Sequence, residues 1–336
     1  VTGRKALRLL FLAVALGFGG WAVASRWTEV SAGFARLSWP ELGGSLLAVV
    51  AALVCGMMMW RALLADLGSP LAFRDAAKIF FIGQLGKYIP GSLWPVLAQM
   101  EMGRDHAIPR SRSAAAYFLT YPVYLGSGLL TAAVTLPVLA GGSVAKFAWL
   151  LLLIPVLAAA LHPSVVNWGI NLGLRLLRKP PLERPLSRRG VLVACGWAFA
   201  GWAAYGTHLA LLVHGLGATG PKAALLSVGA FALAWCLGFI VVIAPAGVGV
   251  REVAMVAALA PVLSQDTAIA ATLCSRLIVS VGDLVCAALA GISARRAALV
   301  AAGRSGTSGA VSPSAHESTS GSTSDVTPGP EDSRRE

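Results

Sequence analysis

Long apolar runs interrupted by few charges constrain this chain more than any other feature. Only 12% of its 336 residues are charged, while 57% are hydrophobic and the mean hydropathy is +0.73. A soluble domain carries about a quarter charged residues, because its surface must stay in water. There is too little charge here to wet the surface of a chain this long, so most of that surface faces lipid. A helical crossing of a bilayer needs about 20 apolar residues. Runs of that kind lie near residues 7–24, 42–63, 114–139, 147–162, 191–213, 223–243, 245–263 and 268–292. The expectation is an all-α, polytopic membrane helix bundle of about eight spans within residues 1–300, with one or two broken or re-entrant segments.

The net charge is +12, from 27 Lys+Arg against 15 Asp+Glu. The basic residues sit in short loops between apolar runs. That is the pattern of a topology signal and of attraction to anionic headgroups, so no nucleic-acid partner is expected. Cys55, Cys195, Cys236, Cys274 and Cys286 all fall in apolar segments without metal-ligand spacing, which argues against a disulfide framework, a metal site or a cofactor. His106, His162, His208 and His214 do not cluster in sequence. The first run follows Arg4, Lys5 and Arg8 and ends in Ala22-Val23-Ala24, as a signal peptide would. With so many later spans it reads as an uncleaved first helix.

Residues 79–99 are apolar but interrupted. If they dip in and return to the same side, most loop cations fall on one side, among them Arg61, Arg74, Lys78, Arg104, Arg110, Arg112 and the basic run within 163–190. A full crossing would scatter these cations over both sides. The positive-inside rule therefore favours a re-entrant 79–99 in a plasma (inner) membrane protein, with both termini cytoplasmic. Residues 164–178 set Val165, Trp168, Leu172, Leu176 and Leu177 against Asn167, Asn171, Arg175 and Arg178, the pattern of a helix lying at a membrane surface. Residues 303–336 are rich in Ser, Gly, Thr and Pro and are expected to form a disordered cytoplasmic tail.

Two breaks carry the polar chemistry. In the first, Gln84, Lys87, Tyr88, Pro90, Gly91, Ser92 and Trp94 crowd one short apolar stretch. Pro90 lacks an N–H and disfavours helix at Ile89, Gly91 lets the backbone turn, and Ser92 can cap a new helix with Pro95 in its first turn. Two half-helices meeting inside a membrane must be buried in protein or line a wet cavity. A new helix start beside Lys87 suits an anion such as a lipid phosphate. In the second break, Pro245, Gly247 and Gly249 precede Arg251 and Glu252. Gly247-Val248-Gly249 is no dinucleotide loop, because no strand precedes it and no matching acid follows. Within the last span, Arg276 and Asp283 share one helix face about two turns apart. An intramembrane charge costs on the order of 2.5–3.5 kcal/mol on insertion scales. Arg276 therefore pairs with Asp283 or Glu252, or lines a polar cavity. The two breaks occupy comparable places in the two halves of the chain, as in secondary transporters whose site lies where broken helices meet.

Gly86-Lys87-Tyr88-Ile89-Pro90-Gly91-Ser92-Leu93-Trp94, Pro245-Ala246-Gly247-Val248-Gly249-Val250-Arg251-Glu252, and Ser275-Arg276 with Asp283 resemble, in order, motifs of the lysylphosphatidylglycerol synthase transmembrane-region family. Ala246 departs from it, since a glycine is usual there. In full-length synthases the resemblance implies a flippase-like membrane domain joined to a soluble aminoacyl-transferase domain, for which the short tail leaves no room. What it implies here is a bacterial membrane domain that handles lipids, without synthase activity. The leading expectation is a flippase-like protein for an anionic phospholipid or polyprenyl-phosphate, with Lys87, Arg251 and Arg276 meeting the phosphate and Glu252 and Asp283 holding those cations or carrying protons. No Walker motif is present. The alternatives are an enzyme acting on a lipid headgroup, for which no catalytic motif is found, and a non-catalytic membrane partner of a separate lipid-modifying enzyme or glycosyltransferase.

Overall fold

The computed structural model describes residues 27–88, 93–139, 154–176, 184–240 and 249–308. The apolar run at 7–24, the start of that at 147–162, the break residues Pro90, Gly91, Ser92, Pro245 and Gly247, and the tail from 309 lie outside the described residues. The chain divides into two units, Val1–Ala294 and Arg295–Glu336. In the second, residues 295–308 are helical, so helix persists past the expected tail boundary at 303. Extending an existing helix by a residue costs far less than starting one.

All regular structure among the described residues is helical. The elements are α1 (Trp27–Arg36), α2 (Trp39–Asp66), α3 (Phe73–Gln84), a 3-10 turn (Leu85–Tyr88), α4 (Trp94–Arg104), α5 (Arg110–Leu139), α6 (Pro163–Leu176), α7 (Arg188–Gly215), α8 (Pro221–Ile240), α9 (Val250–Leu259) and α10 (Gln265–Ser308). Residues 154–160 are also helical. Four helices are long and apolar enough to cross a membrane: Trp39–Asp66, Arg110–Leu136, Pro221–Ile240 and Gln265–Arg296. In their most apolar windows only 33–50% of residues are buried inside the protein. Leu47, Leu284 and Leu289 are among the large apolar side chains on these helices that stand exposed, which water would not tolerate over so many side chains and lipid does. Helix α7 matches α2 in length at 28 residues, but its own Trp, Tyr and His residues lower its hydropathy.

The α2–α7 pair is the spine of the bundle. Gly190, Ala194, Ala198 and Gly201 recur at helical spacing along α7 and are all buried. Such a small-residue face lets backbones approach where lipid offers no hydrophobic drive for association. A Cβ on Gly201 would touch Cys55 and the Ala52 carbonyl, and Gly190 lies against Asp66. Glu41 reaches His214 at the other end, so the helices run antiparallel over their whole length. Around this pair, α8 packs against α7, α5 and α9. Helix α10 lies against α2 through Gly282 on Val49, and α1, which the span pattern did not anticipate, meets α10 through Gly33 on Cys274.

Candidate functional site

The first break folds back on itself. Gly83 lies opposite Gln99, and Gly86 lies opposite Trp94 and Pro95, so α3 with its 3-10 extension and α4 run antiparallel as a helical hairpin. A Cβ on Gly86 would stand 2.7 Å from the Pro95 nitrogen and 2.9 Å from the Trp94 carbonyl carbon. Both are backbone atoms, so only glycine allows this approach. Helix α4 begins at Trp94 with Leu93 in the N-cap position and Pro95 in its first turn. The start thus falls later than a Ser92 cap would put it. Proline supplies the fixed φ of a first helical turn and needs no partner for a missing N–H.

The second break resumes at Gly249, the N-cap of α9, where φ is +92°. That backbone region is open to glycine and strained for any residue with a Cβ. Glu252 Oε2 accepts from the Gly249 N–H at 2.5 Å and so holds the first turn closed. The arrangement presents Arg251 and Glu252 to the bundle. Helix α9 is 10 residues long, about 15 Å, and starts beside Phe231, midway along α8.

Helix α10 joins the two breaks. Asp283, only 4% exposed, accepts from Lys87 Nζ at 2.6 Å and from the Tyr88 hydroxyl at 2.7 Å. Arg276, seven residues earlier, pairs with Glu252. Arg276 and Asp283 do not bridge each other, because seven residues separate them by about 10 Å along the axis. Each reaches instead to a different broken segment. Arg251 makes no salt bridge among the described residues. Its guanidinium sits 4.9 Å from the centre of the Phe231 ring, a cation–π contact, and it lies within electrostatic range of the Asp283 carboxylate. Arg276 in turn feels Arg251. Three cations thus converge on two carboxylates.

Of the residues singled out from sequence, the structure brings together Lys87, Tyr88, Arg251, Glu252, Arg276 and Asp283. Gln84 closes α3 and Trp94 opens α4. Sequence reasoning missed the group behind the cluster. His208, fully buried on α7, has Nδ1 2.6 Å from the Ser45 hydroxyl and Nε2 2.9 Å from that of Ser275. Its ring meets Phe231 edge-on, and Tyr205 stacks on the same phenyl at 4.5 Å. One signal was available: an ionisable residue in an apolar run is a site candidate without any metal partner. Among the described residues no His, Cys, Asp and Glu group could hold a metal ion. An apolar cleft of about 450 Å³, lined by Leu130, Val134, Ile154 and Phe199 among others, carries no charged group and is separate from the cluster.

No curated protein matches the chain. The model of the family described as "Lysylphosphatidylglycerol synthase TM region" matches residues 7–285, a stretch that takes in both breaks and Arg276 and Asp283 of α10. The chain is a membrane-spanning member of the lysylphosphatidylglycerol synthase transmembrane-region family, related to domains that handle lipids.

Proposed function

We propose that this protein is a flippase-like lipid carrier of the plasma membrane that binds an anionic, phosphate-bearing headgroup and moves it between leaflets without chemical conversion. The observation that supports this reading is the excess of cations in the cluster, three against two carboxylates. Lys87 and Arg276 are each in contact with a carboxylate, while Arg251 has an aromatic face and no salt bridge among the described residues. One positive charge in excess in an apolar bundle is costly unless an anion completes it. A phosphate monoester or diester fits, because guanidinium groups present planar paired donors to its oxygens.

The topology that goes with this reading has about eight crossings and both termini cytoplasmic. The hairpin at 79–99 enters and returns on one side, and 245–263 crosses as an interrupted helix whose second half is α9. The charged positions of α10 lie in the middle of its apolar stretch, so the cluster falls near the bilayer midplane, where carriers with broken helices hold their cargo. Headgroups reach it from either side while their chains stay in lipid.

The test is reconstitution into liposomes with fluorescent anionic or zwitterionic phospholipid or a labelled polyprenyl phosphate. A membrane-impermeant reductant then reports the outer-leaflet fraction. Faster equilibration with wild type, lost in Arg251→Gln and Lys87→Ala proteins that still fold, supports the reading. Equilibration no faster than in empty liposomes for every lipid, with and without an ion gradient, sinks it.

A further inference from the structure

Helix α6 presents its apolar face outward. Val165, Trp168, Leu172 and Leu176 are 42%, 66%, 40% and 76% exposed. At 100° per residue these four positions span an arc of about 80°. The opposite face is fastened to the protein. Val166 is buried, and the Asn167 side chain donates to the Leu186 carbonyl at 3.0 Å and accepts from the Leu186 N–H at 2.9 Å. Fourteen residues make about 21 Å of helix, too short to cross a bilayer core and long enough to lie along its surface.

The charge around the stripe chooses its occupant. Exposed Arg175 borders it beside Trp168, and Arg184, Arg188 and Arg189, all exposed, flank Leu186, to which Asn167 is bonded. Arg188 and Arg189 open α7 and are exposed, although a helix start favours acids over bases. Asp66 caps that helix start through Ser187 instead. A basic border around an exposed Trp/Leu/Val stripe matches an anionic leaflet, whose headgroups meet the arginines while the apolar side chains enter the acyl boundary. We infer that α6 is an anionic-lipid docking helix, lying in the headgroup layer and anchored to the bundle through Asn167. This inference is independent of lipid translocation.

The test places a spin label at position 168 or 172 (Trp168→Cys or Leu172→Cys) in the full-length chain with its five native cysteines replaced by alanine. The protein is reconstituted in phosphatidylcholine nanodiscs with or without about 30% phosphatidylglycerol. The expected result is a label more accessible to oxygen than to an aqueous nickel chelate, with a ratio several-fold higher when phosphatidylglycerol is present. Arg175→Gln should lower that gain about fivefold, the factor for one basic residue near an anionic surface. Hydrogen exchange on the unmodified chain supplies a second readout, with backbone amides of 163–176 slowed by phosphatidylglycerol. Equal depth in both lipids, or free access of nickel in both, overturns the inference. So does shielding from oxygen and nickel alike, which would mean that a second copy or another protein covers the stripe.

Discussion

Lys87 Nζ stands 2.6 Å from Asp283 Oδ2, and the two members of this ion pair differ sharply in their access to solvent or lipid headgroups, at 39% and 4% exposure. Removing either partner strands the other, but the consequences are unequal. A stranded Lys87 can swing its flexible stem outward, whereas a stranded Asp283 stays buried with only the Tyr88 hydroxyl. Lys87→Ala should therefore destabilise the detergent-solubilised protein by about 2–3 kcal/mol and Asp283→Ala by about 1 kcal/mol less. The double substitution should recover part of the loss. Thermal unfolding of the three variants checks this, and strictly additive losses would refute the pairing.

Arg251 separates binding from folding. Arg251→Lys keeps the charge but loses the planar donor pair, and Arg251→Gln loses both. Affinity for a phosphate-bearing lipid should fall about tenfold or more in the glutamine variant and by less in the lysine variant. Both should unfold close to the wild-type temperature, because Arg251 holds no carboxylate among the described residues. Lipid retention measured by native mass spectrometry on solubilised protein tests the order.

The hairpin should be far less tolerant at Gly86 than at Gly83. A methyl on Gly86 meets backbone atoms at 2.7 and 2.9 Å, and one on Gly83 meets the Cγ of the Gln99 side chain at 2.7 Å. A side chain can yield and a backbone pair cannot without opening the hairpin. Gly86→Ala is expected to cost about 2–3 kcal/mol and Gly83→Ala about 1 kcal/mol or less. Melting temperatures of the two variants give the comparison directly.

His208 ties three helices together through Ser45 on α2 and Ser275 on α10. His208→Leu leaves two buried hydroxyls without their ring partner and should cost about 2–4 kcal/mol. Ser45→Ala or Ser275→Ala should each cost about 1 kcal/mol. If Ser275 also orients its neighbour Arg276, Ser275→Ala will weaken lipid retention more than Ser45→Ala does. Equal retention would confine the triad to packing.

How much of this was legible in the sequence depends on the range of each interaction. The all-helical character and the positions of the two breaks could be read because Pro, Gly and charge are rare inside apolar runs. The six residues of the cluster were named for the same reason. Their pairing could be read only in part. Arg276 with Glu252 is one of the alternatives the sequence offered, whereas helical spacing put Asp283 on the face of Arg276 and gave no sign that its partner is Lys87. The His208 triad was hidden in the same way, since Ser45 lies 163 positions away and Ser275 lies 67 away. Spacing within one helix reveals neighbours on that helix, whereas contacts between helices depend on the register of their small-residue faces.

Glu252 uses its two oxygens for two unrelated tasks: one closes the first turn of α9 over Gly249 and the other holds Arg276. The two tasks can be separated by substitution. A glutamine keeps an oxygen to accept from the Gly249 N–H but turns an amide toward Arg276, so it removes the ion pair and leaves the helix start closed. An alanine loses both, and the difference between the two variants is the share of this side chain that belongs to the backbone and not to the charge balance of the cluster.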